Sequence, residues 1–353
     1  MKIIVLPGDG IGPEVVAAAV EVLEAVSRRH ALGLELEHDI VSHASLRKHG
    51  TTITPALNEK VLAADGLVLG PTSTYELTDE RRGEINPSKH FRKTLDLYAN
   101  IRPARTYPGV KTLTGPFDLV VVRENTEGFY ADRNMEQGSA EMLVTPDVAI
   151  SIRRITRHCC ERIARAAFEL AAVRRQHVTI VHKANVLRIA DGMFIDVCRT
   201  VGREFPQVRI DERIVDAMMA HAVRTPERFD VIVTTNMFGD ILSDLTAELS
   251  GSIGLGGSLN AGSRHAMAQA AHGSAPDIAG QDVANPVAMI LSAAMLLRWF
   301  GQRRGIEGFL AAANTIESCA ADAVSAGEVT KDVGGRLGTA ATGQAIAARV
   351  ANR

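Results

Sequence analysis

The segment Lys2-Ile3-Ile4-Val5-Leu6-Pro7-Gly8-Asp9-Gly10-Ile11-Gly12-Pro13-Glu14 places a glycine cluster between a β-branched run and a helical pattern. A GxGxxG dinucleotide-binding fingerprint starting at Gly8 requires glycine at position 13, where the chain has Pro13. Proline fits the first turn of a helix. The segment therefore predicts a tight strand-to-helix turn rather than a Rossmann fingerprint.

Runs of β-branched residues alternate with longer amphipathic segments along the rest of the chain. We predict strands at 2–6, 66–69, 119–122, 177–182 and 230–234, and helices at 13–29, 150–172, 192–204, 240–249 and 286–300. Segments 100–103 and 254–262 are rich in glycine, proline or asparagine, which predicts connections. This alternation is typical of α/β proteins.

The chain has 353 residues, more than one hydrophobic core usually serves, so we expect two lobes. Hydrophobic residues make up 46% and charged residues 23%, a balance that excludes a largely disordered protein. A net charge of -2 gives no overall attraction for nucleic acid or anionic membranes. One basic segment has apolar residues at helical spacing, and we interpret its charges as the solvated face of a packed helix: Arg153, Arg154, Arg157, His158, Arg162 and Arg165.

The cysteine content and the apolar runs indicate a cytoplasmic protein. Four scattered cysteines are too few for a disulfide framework and form no CxxC pair. The apolar run at 3–6 is shorter than a signal sequence requires, and the run at 288–297 is too short to span a bilayer. We therefore expect neither export nor membrane insertion.

Two acidic residues, Asp240 and Asp244, are four apart in a predicted helix and therefore share one face. Carboxylate oxygens suit Mg²⁺ or Mn²⁺. An ordinary acidic surface near a helix N-terminus fits this spacing equally well.

Other candidates for chemistry are three arginines, a lysine and a tyrosine. Arg92, Arg102 and Arg123 could together hold a di- or tricarboxylate, although each singly is more often a surface residue or an ion-pair partner. Lys183 ends an apolar strand, where a lowered pKa would allow it to act as a base. Tyr130 could deliver a proton, but neither residue is diagnostic alone.

Taken together, the motifs resemble the isocitrate/isopropylmalate dehydrogenase family of NAD(P)- and metal-dependent β-decarboxylating dehydrogenases. The resemblance runs nearly end to end and is carried by LPGDGIGPE at 6–14, LDLYANIRPAR at 95–105, VVRENTEGFY at 121–130, HKANVL at 182–187, IVDAM at 214–218, NMFGDILSD at 236–244, HGSAPDIAG at 272–280 and ANP at 284–286. It implies a two-lobed α/β fold that is not a Rossmann fold. A large cofactor-binding lobe would comprise 1–98 plus 251–353, and a small central lobe 99–250 would carry the interface of a homodimer and a clasp arm at 131–148.

The resemblance also assigns roles to the candidate residues. Arg92, Arg102 and Arg123 match the clamp on the malate carboxylates, and Asp216, Asp240 and Asp244 match the ligands of Mg²⁺ or Mn²⁺. Lys183 matches the base and Tyr130 the acid, with Lys183 and Asp216 reaching into the partner's site. NAD would be bound by Asn185, His272, Gly273, Ser274, Ala275, Pro276, Asp277, Ile278 and Asn285. Asp277 and Ile278 favour NAD, because related NADP enzymes carry lysine followed by tyrosine there.

The substrate is expected to be isocitrate or homoisocitrate. In this family the residues before the first clamp arginine meet the group on C3, and here they are Ser88 and Lys89 rather than leucines. Alternatives within the family are 3-isopropylmalate, tartrate and D-malate, and the alternative from another class is a non-catalytic regulatory subunit. One departure from the family pattern is Gln269, where most members have glutamate near the nicotinamide ribose.

Overall fold

A computed structural model describes residues 1–77, 79–130, 135 and 140–353. This part of the chain builds a ten-stranded mixed sheet flanked by helices and a separate two-stranded sheet. The strands are β1 (Lys2–Leu6), β2 (Glu35–His38), β3 (Gly66–Leu69), β4 (Ala99–Arg105), β5 (Asp118–Glu124), β6 (Glu141–Thr145), β7 (Val148–Ser151), β8 (His177–His182), β9 (Arg209–Ile214), β10 (Val231–Thr234), β11 (Leu259–Ala261) and β12 (Ala266–Ala268). The helices are α1 (Gly12–His30), α2 (Ser42–His49), α3 (Pro55–Ala63), α4 (Pro87–Thr94), α5 (Arg157–Ala172), α6 (Ala190–Gly202), α7 (Val215–Arg224), α8 (Asn236–Leu249), α9 (Val287–Arg304), α10 (Glu307–Ser325) and α11 (Thr339–Asn352).

The strand order of the large sheet is β2-β1-β3-β12-β11-β4-β5-β10-β8-β9. Parallel pairs flank a central antiparallel part, in which β11 pairs with β12 and β4, and β4 with β5. Strands β11 and β12 come from the C-terminal part of the chain but lie between β3 and β4. The α/β class is thereby confirmed.

The buried core comprises several clusters on both faces of this sheet. One cluster includes Val15 on α1, Leu297 on α9 and Ile316 on α10. Another joins α5 and α6 to the parallel strands through Phe168 and Phe194. The lobe boundaries at 98/99 and 250/251 stay a prediction, because the sheet runs continuously across them.

Predicted strands at 2–6, 66–69 and 177–182 are confirmed with the same bounds, whereas two predicted connections are wrong. Segments 100–103 and 254–262 contribute to strands β4 and β11. Proline interrupts most strands because it lacks an N–H group. Here β11 pairs with β4 only over residues 99–101, so Pro103 lies on a stretch of β4 that has one strand neighbour.

The predicted helix at 150–172 is also wrong in its first part, because residues 148–151 form β7 and the helix begins at Arg157. The Thr156 hydroxyl accepts a hydrogen bond from Cys159 N–H and caps the helix. Arg153 therefore lies outside the helix, where its guanidinium pairs with the fully buried Asp191 rather than facing solvent.

The predicted clasp arm at 131–148 lies partly outside the described residues, which omit 131–134 and 136–139. Its described part includes β6 and, together with β7, forms an antiparallel hairpin whose residues are all exposed. Within the described ranges, no helix is long and apolar enough to cross a membrane.

Candidate active site

The candidate site forms where β4, β5 and β10 meet helix α8. Arg102 lies on β4 and Arg123 near the end of β5, and β10 leads through Thr235 into α8. The first turns of α8 carry Asp240 and Asp244 towards these arginines. The structure thus brings together four residues that the sequence singled out in three separate motifs.

Arg123 is almost completely buried, with 2% of its surface exposed, and α8 binds its guanidinium from one side. Its Nε donates to the backbone oxygen of Asn236 at 2.9 Å, and its Nη2 donates to Asn236 Oδ1 at 2.7 Å. Nη1 forms an ion pair with Asp240 Oδ1. A Cβ atom at Gly239 would lie 2.6 Å from Arg123 Cγ, so only glycine lets the helix approach this closely.

Arg102 is held by both strand and helix groups. Its Nε donates to Asn100 Oδ1 at 2.6 Å, while Nη1 donates to Ser243 Oγ at 2.8 Å and to Asp244 Oδ1 at 3.0 Å. Asp240 Oδ1 lies 3.4 Å from the same nitrogen. Fixed in this way, the guanidinium is prepared to bind a carboxylate without a large loss of side-chain entropy.

The two aspartates fit a divalent cation by their chemistry. Partial burial raises the pKa of Asp244, and the negative charge of Asp240 acts in the same direction, whereas Arg102 opposes both. Tyr130 Oη donates to Asp240 Oδ2 at 3.5 Å, so the candidate acid lies beside the candidate metal ligands. Hard oxygen ligands at this position suit Mg²⁺ or Mn²⁺, which would compete with the arginines for the carboxylates.

Lys183 and Asp216 form a separate pair. The Lys183 Nζ to Asp216 Oδ1 distance is 2.5 Å, and this hydrogen bond lowers the pKa of Asp216. Among the described residues of one chain, no three metal-ligating side chains come together, so Asp216 does not join Asp240 and Asp244. That both residues of the pair reach into a partner's site stays a prediction.

Gln269 connects two of the predicted substrate residues. This side chain follows β12 and is 6% exposed. Its Nε2 donates to Ser88 Oγ at 2.7 Å, and its Oε1 accepts from Arg92 Nη2 at 3.4 Å. The neighbouring Lys89 has its Nζ 3.5 Å from Glu80 Oε1. The wall around Arg92 is therefore polar.

The glycine-rich turn at the start of the chain holds the predicted cofactor loop at 272–280. Ile11 N–H donates to the backbone oxygen of Ser274 at 2.9 Å. A Cβ atom at Gly10, whose φ is 55°, would lie 1.9 Å from that same oxygen. Asp9 fixes the turn by accepting hydrogen bonds from the Ser42 hydroxyl and the backbone N–H of Ser73.

Two side chains of the predicted cofactor site have groups suited to a nucleotide. Burial lowers the pKa of His272, so its imidazole is neutral at neutral pH, and its buried Nε2 has no hydrogen-bond partner among the described residues. Asn285 is 7% exposed and donates to Asp332 Oδ2 at 3.0 Å. Asn185 and Asp277 are exposed, and Ile278 packs against the core. This donor and acceptor set fits NAD.

Sequence reasoning missed several supporting residues. Asn236 lies four residues before Asp240, so helical spacing could have placed it on the same face. Asp191 accepts from Lys183 N–H at 2.6 Å and pairs with Arg153, an ion pair between residues far apart in sequence that no local pattern indicates.

Comparisons with known proteins agree with this geometry. Residues 2–348 match the family described as isocitrate/isopropylmalate dehydrogenase. The chain belongs to the isocitrate/isopropylmalate dehydrogenase family. It is 40% identical to 3-isopropylmalate dehydrogenase of Archaeoglobus fulgidus, covering 96% of each chain. It is also 40% identical to isocitrate/homoisocitrate dehydrogenase of Thermus thermophilus, covering 98% of this chain and 97% of the relative.

A solved structure of isocitrate dehydrogenase from Methylococcus capsulatus is similar with a TM-score of 0.88 and 40% identity, covering 99% of each chain. The isocitrate/isopropylmalate dehydrogenase fold expected from the sequence is therefore confirmed. The family consists of decarboxylating dehydrogenases that act on small carboxylates. The chain is equally identical to relatives with different substrates, so overall identity does not indicate its substrate. The side chains around the site must provide that information.

Proposed function

We propose that this family member catalyses the NAD-dependent, divalent-metal-dependent oxidative decarboxylation of a 3-carboxy-2-hydroxy acid. The observation that carries the proposal is the convergence of Arg102, Arg123 and Tyr130 on Asp240 and Asp244. Two fixed guanidinium groups, two hard oxygen ligands and a phenol in one place provide for substrate binding, charge stabilisation and proton delivery.

In the proposed mechanism, Arg92, Arg102 and Arg123 hold the carboxylates, so that the C2 hydroxyl has one orientation. The neutral amine of Lys183 removes the proton from that hydroxyl, and Asp216, which lies beside Nζ, stabilises the ammonium that results. Bound NAD would accept the hydride from C2, and a bound divalent ion would withdraw electrons from the C2 oxygen during loss of CO₂. The Tyr130 hydroxyl then protonates the carbon that the carboxylate has left.

The proposed substrate is isocitrate or homoisocitrate. Gln269, Ser88 and Lys89 form a polar wall beside Arg92, and Lys89 has moderate exposure with Glu80 as a neighbour. An isopropyl group at this wall would remove water from polar groups without replacing their hydrogen bonds. A third carboxylate would instead gain a charge-assisted hydrogen bond from Lys89.

The deciding experiment measures kcat/KM with NAD and Mn²⁺ for isocitrate, homoisocitrate, 3-isopropylmalate, D-malate and tartrate. The parent is compared with Lys89→Leu and with Lys93→Leu, a matched control because Lys93 is exposed on the same helix. We expect Lys89→Leu alone to lower kcat/KM for the tricarboxylates, by about tenfold for one lost charge-assisted bond. The assignment of isocitrate or homoisocitrate is wrong if the parent prefers 3-isopropylmalate. It is also wrong if Lys89→Leu leaves kcat/KM for the tricarboxylates unchanged.

NAD as the cofactor, a homodimer as the active form and a cytoplasmic location complete the proposal. Support for NAD comes from His272 Nε2, which has no hydrogen-bond partner in the described part of the chain, and from the carboxylate of Asp277 in the loop. A carboxylate accepts hydrogen bonds from ribose hydroxyls but repels a 2′-phosphate. The dimer is supported by Asp216, which joins no cluster of metal-ligating side chains with Asp240 and Asp244 among the described residues of one chain.

A further inference from the structure

A cavity of about 400 Å³ lies on the reverse side of the strands that carry the site arginines. Ile101, Pro103 and Arg105 of β4 line it, whereas Arg102 between them contacts α8. Side chains alternate between the two faces of a strand, so this cavity and the candidate active site are on opposite faces of the sheet. Its volume lies in the range of small-molecule sites.

The walls of the cavity are mostly apolar and come from several elements. They include the side chains of Leu255, Leu259, Leu291, Met295 and Trp299. Leu170 and Val173 at the end of α5 add the opposite side, and Val173 is 78% exposed. A flat hydrophobic group of suitable size would therefore lose water on entering between α5 and α9.

The charges at the cavity favour an anion. Asp118 and Glu317 line it, but each already pairs with an arginine that also lines it, Arg174 and Arg298 respectively. The remaining arginine, Arg105, makes no ion pair within the described ranges. The charges of Glu317 and Asp118 act on it from farther away, and its guanidinium carbon lies 4.7 Å from the centre of the Tyr107 ring. One guanidinium at the wall is thus available for a carboxylate.

We propose that this cavity is a second ligand site, which binds an amphipathic carboxylate with its apolar body against Trp299 and its carboxylate on Arg105. The occupant would also contact the backs of β4 and β5, because Pro103 and Val120 line the cavity and are paired in register. These two strands carry Arg102 and Arg123. Occupancy therefore changes the affinity of the arginines for substrate, a consequence that rests on the proposed function.

Trp299 is the single tryptophan of the chain and lines this cavity, so tryptophan emission comes from one residue at its wall. The probe is 4-phenylbutyrate, titrated into the full-length protein, with the neutral 4-phenylbutyramide as its matched control. We expect a saturable change in Trp299 emission with the acid, and binding about tenfold or more weaker with the amide. No saturable change with the acid, or equal affinity for acid and amide, would overturn the proposal.

Variants test the assigned contact. Arg105→Met keeps a long, unbranched side chain but removes its charge, so we expect its affinity for the acid to fall by about tenfold or more. Arg105→Lys, which keeps the charge, should retain much of the affinity. Arg28→Met is the control, since Arg28 is exposed on α1 and does not line the cavity. Unchanged affinity in a folded Arg105→Met would contradict the site. If Arg105→Met does not fold, the comparison of acid with amide on the parent decides.

The coupling is measured separately as the KM of the preferred substrate with and without saturating 4-phenylbutyrate. A changed KM in the parent, absent in Arg105→Met, is expected. An unchanged KM despite a fluorescence-detected occupant would refute the coupling but leave the binding site standing. If no substrate is turned over at all, the proposed function fails while the fluorescence result still tests the cavity.

Discussion

At the scale of single residues, Asp240 has the most demanding position in the candidate site. It accepts hydrogen bonds from Arg123 and Tyr130 and forms an ion pair with Arg102, and 36% of its side chain remains exposed. The carboxylate can therefore pair with the arginines when no substrate is bound, and it can bind a cation when substrate is bound. Accepting hydrogen bonds from the arginines requires only an oxygen atom, whereas binding a divalent cation also requires the negative charge.

Asp240→Asn is expected to abolish both Mn²⁺ binding and activity while the fold persists. The amide oxygen can still accept from Arg123, but it lacks the charge that a divalent cation needs. Calorimetric titration with Mn²⁺ and circular dichroism test the two parts. Glu248→Gln is the control, because Glu248 is exposed on the same helix. Full turnover of Asp240→Asn, or of the parent after exhaustive chelation, would refute the metal role.

The pair of Arg153 and Asp191 is buried, and its loss should destabilise the protein. Asp191 is fully buried and also accepts from Lys183 N–H, so neutralising it leaves a guanidinium that is 10% exposed without its counter-charge. We expect Asp191→Asn to lower the free energy of unfolding by about 3 kcal/mol. Urea denaturation measures the change. Glu204→Gln removes an exposed partner of Arg165, whose charge water screens, and should lower the free energy of unfolding much less. Equal effects would contradict the assigned burial.

His272 should make the protein less stable in acid. Burial lowers its pKa below the usual value of histidine in the folded state, so protonation favours the unfolded chain. The stability from neutral His272 is therefore complete above the unfolded pKa and is lost as the pH falls through that value towards the folded pKa. His272→Gln should flatten the dependence of Tm on pH in this window, whereas exposed His158→Gln should not. Parallel Tm curves for parent and His272→Gln would contradict this.

At the scale of elements, the sequence predicted the strands and helices whose hydrophobic pattern matches their burial in the fold. Strand β1 and helix α1 were predicted because a buried apolar run meets a proline-initiated amphipathic helix. Strand β4 was not predicted, because Pro103 is tolerated only on the part of β4 that β11 does not pair with. The local sequence does not show where that pairing ends. The start of α5 was misplaced for the same kind of reason. Ile150 and Ile152 fit the helical pattern, but Ile150 pairs in the exposed β6–β7 hairpin.

The candidate site was predictable as a set of residue types but not as a network. The spacing of Asp240 and Asp244 and the basic side chains in three motifs indicated the components. The hydrogen-bond partners of each arginine depend on how closely a helix approaches a strand, as at the contact of Gly239 with Arg123. Neighbour relations of this kind arise only when α8 packs on β5.

The cofactor loop as an element should determine the choice between NAD and NADP. Asp277 is exposed, so it can be replaced without disturbing the core, whereas Ile278 packs against the core at its edge. Asp277→Lys with Ile278→Tyr is expected to raise the ratio of kcat/KM for NADP over NAD by about tenfold or more. Asp277→Asn, which removes repulsion without adding attraction, should give a smaller rise. A parent that prefers NADP would overturn the cofactor assignment.

At the scale of the whole molecule, one chain contains the proposed machinery in two separate parts. Arg102, Arg123, Asp240 and Asp244 lie together, and Lys183 with Asp216 forms the other group. Both groups are needed if the reaction requires a base and a chelate at the same carbon. In a symmetric dimer each site could take one group from each chain.

This arrangement predicts that two inactive variants restore each other's activity. Lys183→Met lacks the base and Asp240→Asn lacks the metal ligand, so each homodimer has two defective sites. If the base and the ligand of one site belong to different chains, one site of a mixed dimer receives both defects and the other receives neither. Random exchange makes about half of the dimers mixed, which gives about a quarter of the parent's activity per chain.

The experiment unfolds and refolds the two variants together and compares them with each variant refolded alone. The cis control is the double variant Lys183→Met with Asp240→Asn, refolded with the parent. Its mixed dimers have one defect in each site, so the sample should retain only the activity of the parent homodimers. If the base acted within its own chain, the single variants would stay inactive when mixed, and the double variant would leave the parent's own sites active in mixed dimers. Complementation therefore decides whether Lys183 serves its own chain or the partner.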